Sequence, residues 1–228
     1  MTLTPQPAAY RQNPFPSFPG ATEIALIRHG QSEVFRDGTP FPLVEGHGDP
    51  ALSPEGHGQA ERLAARLAAA GIGAIYVSTL RRTAQTAAPL ARRLGLEPRL
   101  EPDLREVHLG EWEGGLYRKM VADRHPLVLR AWAEERWDII PGAEPAAAFA
   151  ARTSAAIERI ARAHPDGRVA AVTHGGVIGR VLATATGSRP FAFVTADNAS
   201  ISRIVVVGDR WILRAFNDTA HLEGGATP

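Results

Sequence analysis

Two short apolar runs end in the same way. EIALIRHG at 23–30 and RVAAVTHGG at 168–176 each place a histidine and then glycine directly after the last apolar residues. A continuous apolar run of this length, bounded by turn residues, reads as a strand buried on both faces of a helix-covered parallel sheet. In open α/β sheets, ligands bind beyond the carboxyl ends of the strands. If these two strands are neighbours, His29 and His174 therefore point into one crevice. Gly30, Gly175 and Gly176 let the chain turn sharply there and bring backbone amides to an anion.

The chain around these runs alternates strands with helices. Ser53-Pro54-Glu55 offers an N-cap with proline at the first helical position, and Ala60, Leu63, Ala64 and Leu67 line one face of a helix to Ala70, ended by Gly71. AIYVS at 74–78 reads as a strand, with Ser78 opening a helix that runs to about Leu94 and stops at Gly95. The stretch 115–137 is expected to be helical but broken at Pro126, and 144–163 forms a long alanine-rich helix. After the RVAAVTH strand, VIGRVLATAT reads as a further helix, and ISRIVVV and WILRAF flank Gly208-Asp209 as a hairpin. The expected fold is a three-layer α/β/α sandwich with a mostly parallel central sheet and a C-terminal β-hairpin. Residues 21–222 are assigned to one domain. Residues 1–20, carrying Pro5, Pro7, Pro14, Pro16 and Pro19, form an irregular arm, and 223–228 a flexible tail.

Composition narrows the chemistry. With no cysteine, disulfides, thiolate metal sites and cysteine nucleophiles are excluded. Lys+Arg 25 against Asp+Glu 24 leaves +1, so no global field points to nucleic acid or an acidic membrane. Any anion site must be a local gathering of cations. No window approaches the roughly 20 apolar residues of a membrane span. The opening MTLTPQPAAYRQNPFPSFPG lacks the basic-then-apolar pattern of a secretory signal, so a cytoplasmic location is expected.

Four blocks then occur in a telling order: Arg28-His29-Gly30 after a strand; Ser78-Thr79-Leu80-Arg81-Arg82-Thr83-Ala84-Gln85-Thr86-Ala87; Leu104-Arg105-Glu106 running into Gly110-Glu111-Trp112-Glu113-Gly114; and Thr173-His174-Gly175-Gly176. Together they resemble the histidine phosphatase superfamily, the phosphoglycerate mutase-like group, over roughly residues 23 to 222. Phosphoryl transfer spreads negative charge over oxygens, so catalysis is largely positioning and electrostatic stabilisation. Arg28, Arg82 and a protonated His174 would supply three positive groups, and a neutral His29 remains as attacking nucleophile. Its other ring nitrogen should donate to a backbone carbonyl. The resemblance implies that His29 becomes the phosphohistidine, that Arg28, Arg82 and His174 form the phosphate pocket, and that Glu106 is the general acid. Gln31, Ser32 and Gly175 join as substrate contacts. The family spacing, with the arginine four residues after the serine, selects Arg82 and leaves Arg81 facing solvent.

Two positions depart from the family pattern. Phe35 stands where an asparagine often donates to phosphate, and Glu45 where a glutamine commonly precedes glycine. Loop 33–48 is therefore remodelled: either another residue such as Gln31 or Ser32 supplies the missing donor, or phosphate binding is weaker. Trp112 reads as a packing residue. His47, His57, His108, His125, His164 and His221 show no metal-ligand spacing, so no metal or other cofactor is expected, with His47 and His108 placed at the mouth of the site. Arg118, Lys119, Arg124, Arg130 and Arg136 are candidate anion contacts on the 115–140 stretch.

The implied activity is metal-independent hydrolysis of a small phosphorylated metabolite; a homodimer is left open. A phosphoglycerate mutase, which returns the phosphoryl group to substrate, is the alternative within the family. Glu111-Trp112-Glu113-Gly114 and Pro141-Gly142-Ala143-Glu144 look like the phosphatase branch. Two other readings are a dinucleotide-binding turn at VTHGGVIG, which lacks its first glycine, and a non-catalytic phosphate-binding module.

Overall fold

The computed structural model describes residues 18–223. The expected arm up to residue 17 and the tail after 223 lie outside them. Eight strands and six helices follow in the order β1 (Thr22–Arg28), β2 (Leu43–Val44), β3 (His47–Gly48), α1 (Pro54–Leu67), β4 (Ala74–Val77), α2 (Arg81–Leu94), β5 (Arg99–Leu100), α3 (Leu116–Ala122), α4 (Pro126–Glu134), α5 (Ala146–Ala163), β6 (Arg168–Thr173), α6 (Gly175–Thr186), β7 (Ile201–Val207) and β8 (Arg210–Asp218). Six of the strands form one sheet in the order β5-β4-β6-β1-β7-β8. β5, β4, β6 and β1 run parallel, and the hairpin β7–β8 adds to the edge of β1 in antiparallel sense.

Alternation along β1 shows why the sheet needs two covering layers. Ile24 and Leu26 pack with Ile157 and Ile160 of α5 and Ile178 and Leu182 of α6. Ala25 and Ile27 face the opposite side, against Leu63 and Leu67 of α1 and Leu90 of α2. Successive side chains of a strand point to opposite faces, so an uninterrupted apolar run is buried on both. Ile24, Leu26 and Ile27 are completely buried, each stabilising the fold by about 1.5–3 kcal/mol. A third, smaller cluster of Trp112, Val128 and Ile140 holds α3 and α4 against the body.

Local chemistry sets the helix ends, with some departures from expectation. Ser53 caps α1 by accepting from the Gly56 amide, with Pro54 at the first position; the helix ends at Leu67, short of Ala70. α2 begins at Arg81, and its cap position Leu80 has no side-chain bond, so Ser78 does not open the helix. The expected helical stretch 115–137 is two helices. Arg124 adopts a left-handed φ of 52° between them, His125 caps α4, and α4 stops at Glu134 with Glu135 left-handed. α5 starts at Ala146 rather than 144, and α6 starts at Gly175, immediately after His174. Among the described residues no helix is long and apolar enough to cross a membrane.

Candidate active site

β1 and β6 are neighbours in register, with Arg28 opposite Thr173. Both chains therefore leave the sheet at the same end, and the His29 amide continues the ladder by donating to the Thr173 carbonyl at 2.9 Å. The two imidazoles meet edge-on, with ring centroids 5.2 Å apart and planes at 62°. Residues 145 positions apart in sequence thus converge, as the strand ends predict. Glycine is required after His29, because a Cβ at Gly30 would lie 2.6 Å from the Gly56 carbonyl oxygen.

The two rings have different surroundings. His29 Nδ1–H donates to the Gly30 carbonyl at 2.7 Å, which fixes the tautomer and leaves Nε2 with its lone pair. Burial, then Arg82 and Arg28, hold the His29 pKa well below the ordinary imidazole value. His174 is fully buried; its Nε2 meets the Ser78 hydroxyl at 2.9 Å and its Nδ1 has no partner. Burial and the neighbouring Arg82 and His29 also push His174 well down. Desolvation and adjacent cations thus both work against the protonated form expected of His174.

Two guanidiniums flank these rings. Arg82, the second residue of α2, is buried and donates to the Gly48 carbonyl at 2.9 Å. Burial lowers its pKa to about 10, opposed by Glu106 and Asp49, so it remains a cation at neutral pH. Arg28 donates to the Ala196 carbonyl at 2.5 Å and keeps a buried Nε without partner. Burial lowers its pKa as well, against Glu106 and Asp197. Glu106 accepts from the Gly176 amide at 3.1 Å and the Val107 amide at 2.9 Å. A Cβ at 176 would collide with the Glu106 carboxylate, so that glycine admits it to the helix N-terminus.

Arg28, His29, Arg82, Glu106 and Gly175 line one cavity of about 480 Å³, together with Gln31 and Ser32. His174 is not among its lining residues: it is fully buried and packs against His29. A family model of the histidine phosphatase superfamily (branch 1) matches residues 24–219.

The chain belongs to the histidine phosphatase superfamily.

Among its relatives is the phosphoglycerate mutase-like protein 4 of Arabidopsis thaliana, 34% identical over 206 residues that cover 88% of this chain and 87% of the relative. The metal-independent phosphoserine phosphatase of the same plant is 33% identical over 205 residues, covering 88% of this chain and 83% of that one. A solved mycobacterial glucosyl-3-phosphoglycerate phosphatase superposes with a TM-score of 0.70 at 30% identity, over 87% of this chain and 100% of that one.

Several assignments change in this histidine phosphatase. Arg81 is exposed, as expected, and there binds Asp49, donating from its amide, Nε and Nη2. Phe35 meets Phe41 edge-to-face at 6.0 Å, and Glu45 pairs with Arg105, so neither departure places a donor in the cavity. Gln31 is engaged with the α1 cap through Ser53, and the Ser32 hydroxyl accepts from Arg118 at 2.7 Å. Arg118 also donates to the Glu33 carbonyl at 2.6 Å, lies 5.1 Å over the Phe41 ring and lines the cavity. Lys119, Arg130 and Arg136 are paired with local carboxylates instead. His47 lines the cavity, but His108 is not among its lining residues; it packs behind His47 at 5.0 Å. Trp112 packs as expected, buried against Tyr117 and His125.

Two contributors carried no sequence signal. Asn198 lines the cavity and its Nδ2 donates to the His29 carbonyl at 2.9 Å. Tyr117, Trp132 and Trp137 form an aromatic wall. The dinucleotide reading of VTHGGVIG loses its basis, because the Gly176 amide that a pyrophosphate would need is given to Glu106. Among the described residues no group of three or more His, Asp or Glu is arranged to hold a metal ion.

Proposed function

We propose that the protein hydrolyses small phosphomonoesters through a phosphohistidine at His29. The observation that carries this reading is the imidazole pair, 5.2 Å apart between Arg28 and Arg82, with the His29 Nδ1 proton committed to Gly30. The Nε2 lone pair attacks phosphorus, and the bond from phosphorus to the alcohol oxygen breaks. Glu106 is the general acid, passing a proton to the leaving oxygen; its carboxylate then takes a proton from water as the water oxygen displaces His29. Free phosphate and neutral His29 result.

Charge on the transferring group is met by Arg28, Arg82 and Arg118, whose guanidiniums offer paired donors to phosphoryl oxygens. Arg118 takes the place of the donor missing at Phe35. His174 serves as a neutral donor: with the Ser78 hydroxyl donating to Nε2, the proton stays on Nδ1, the ring nitrogen that has no other partner. The phosphatase relatives, and a mycobacterial phosphatase neighbour solved with inorganic phosphate, support this choice of substrate class. The reading includes turnover that survives chelation by EDTA and a cytoplasmic location.

The deciding experiment is phosphate release from p-nitrophenyl phosphate by the wild type and by His29→Ala. Release that disappears in the variant supports the hydrolase; equal rates would overturn it. Interconversion of 2- and 3-phosphoglycerate faster than phosphate release would turn the assignment to the mutase.

A further inference from the structure

A second cavity, of about 470 Å³, abuts the first, and the two have Val107, Trp137, Gly176 and Val194 in common. Its remaining walls are largely carbon, with Phe149, Phe191, Pro145 and Pro190 around Trp137. Trp137 and Phe191 pack at 4.6 Å, their planes tilted by 34°. Such walls accept a flat or apolar body.

Four carboxylates border this cavity, and each already has a cation. Arg152 holds Glu144 through bonds of 2.7 and 2.8 Å. Arg136 holds Asp138 at 2.6 Å, Arg130 holds Glu134 at 2.6 Å, and Arg189 pairs with Glu135. Arg180 is the cation left over. It lines the cavity, its Nε is buried with no hydrogen-bond partner, and it has no ion-pair partner among the described residues. Buried polar groups are nearly always satisfied, and a guanidinium is satisfied best by the two oxygens of a carboxylate.

Position connects this group to the chemistry. Arg180 stands one turn of α6 after Gly176, about 6 Å along the helix axis, and Gly176 holds Glu106 at the phosphate end. The phosphate cavity has its own guanidiniums, so the second cavity suits the other end of the same molecule. We infer that the alcohol half of the substrate is apolar and carries a carboxylate, which Arg180 binds in this second cavity. The inference rests on the phosphatase reading above for the identity of the ligand.

The test compares two esters with matched leaving groups: the phosphate ester of 4-hydroxyphenylpropanoate, and 4-propylphenyl phosphate, in which a methyl group replaces the carboxylate. The wild type should show a KM at least about tenfold lower for the carboxylated ester, as expected for a charge-assisted pair. Arg180→Gln should abolish that advantage and Arg180→Lys restore part of it. Turnover of 4-propylphenyl phosphate should stay within about twofold in all three proteins, reporting an intact fold and phosphate site. Equal KM values in the wild type, or an advantage that survives Arg180→Gln, overturns the inference. If neither ester nor p-nitrophenyl phosphate is hydrolysed, it is the phosphatase reading that fails. The cavity is then decided by 4-hydroxyphenylpropanoate alone: a rise in Tm of the wild type but not of Arg180→Gln supports the anion site, and no rise in either overturns it.

Discussion

At the floor of the cavity, Arg28 and His29, with His174 buried against them, leave two adjacent strands whose backbones are paired through six successive residues. The His29 amide and carbonyl are both bonded, to Thr173 and Asn198, and both imidazoles are buried. At the roof, Tyr117, Arg118 and Trp132 stand on helices of seven and nine residues, held by a cluster centred on Trp112, Val128 and Ile140. Leu129 and Trp132 there remain 54% and 42% exposed. Arg28 and His29 sit where the sheet over-determines their position. Tyr117, Arg118 and Trp132 sit on short elements whose side chains can change without disturbing the sheet.

The division can be broken by mutation, beginning with the largest effect. Glu106→Gln should slow alkyl phosphates by about 10²–10⁴-fold while p-nitrophenyl phosphate, whose leaving group needs no proton, slows far less. Equal slowing of both removes Glu106 from the acid role. Arg82→Ala should lower kcat by about 10²–10³-fold, because a preorganised cation at the developing charge is lost. Arg118→Ala should act mainly on KM, by about tenfold, with Arg118→Lys recovering part. A kcat loss at Arg118 as large as that at Arg82 would erase the distinction between floor and roof. Trp132→Ala should cost less than about 1 kcal/mol of stability, because the side chain is half exposed; a larger loss in a denaturant titration would make the roof structural.

The sequence carried the floor because its information there is periodic and local. A run such as EIALIRH declares a doubly buried strand, and the Gly30 and Gly175 turns declare where the backbone must leave it. That two such ends belong to neighbouring strands depends on sheet order, which no local pattern encodes, yet like motifs at like places pointed to it. The roof was less legible. Arg118 is one of five candidate anion contacts on its stretch, indistinguishable by pattern from Lys119, Arg124, Arg130 and Arg136, and its contacts with Phe41 and Ser32 are what hold it at the cavity. Ser78 was read as a helix opener because serine favours caps; its hydroxyl is instead taken by His174. Asn198 lies in a loop without periodicity, so nothing marked it. A charged His174 is expected because phosphoryl transfer needs positive groups, whereas burial and Arg82 both act against its charged form in the folded protein.

The depressed imidazoles also set a pH dependence of stability. As pH falls through about 6.5 the unfolded chain protonates its histidines first, while His29 and His174 resist in the native state. The unfolded state then binds more protons, so stability is greatest above about 6.5 and declines as pH falls toward the lowered native values. Tm should therefore drop between pH 7 and 5 by less in His29→Asn than in the wild type. Identical slopes would mean that His29 is not held neutral.

Rapid acid-free quenching of the enzyme during turnover of a ³²P-labelled ester tests the covalent step itself. Label should appear on the peptide containing His29, stable to alkali and lost in mild acid, and Glu106→Gln should retain it longer than the wild type. Substrate that is consumed with no labelled protein at any time, or label recovered on a different residue, would contradict a phosphorylated His29.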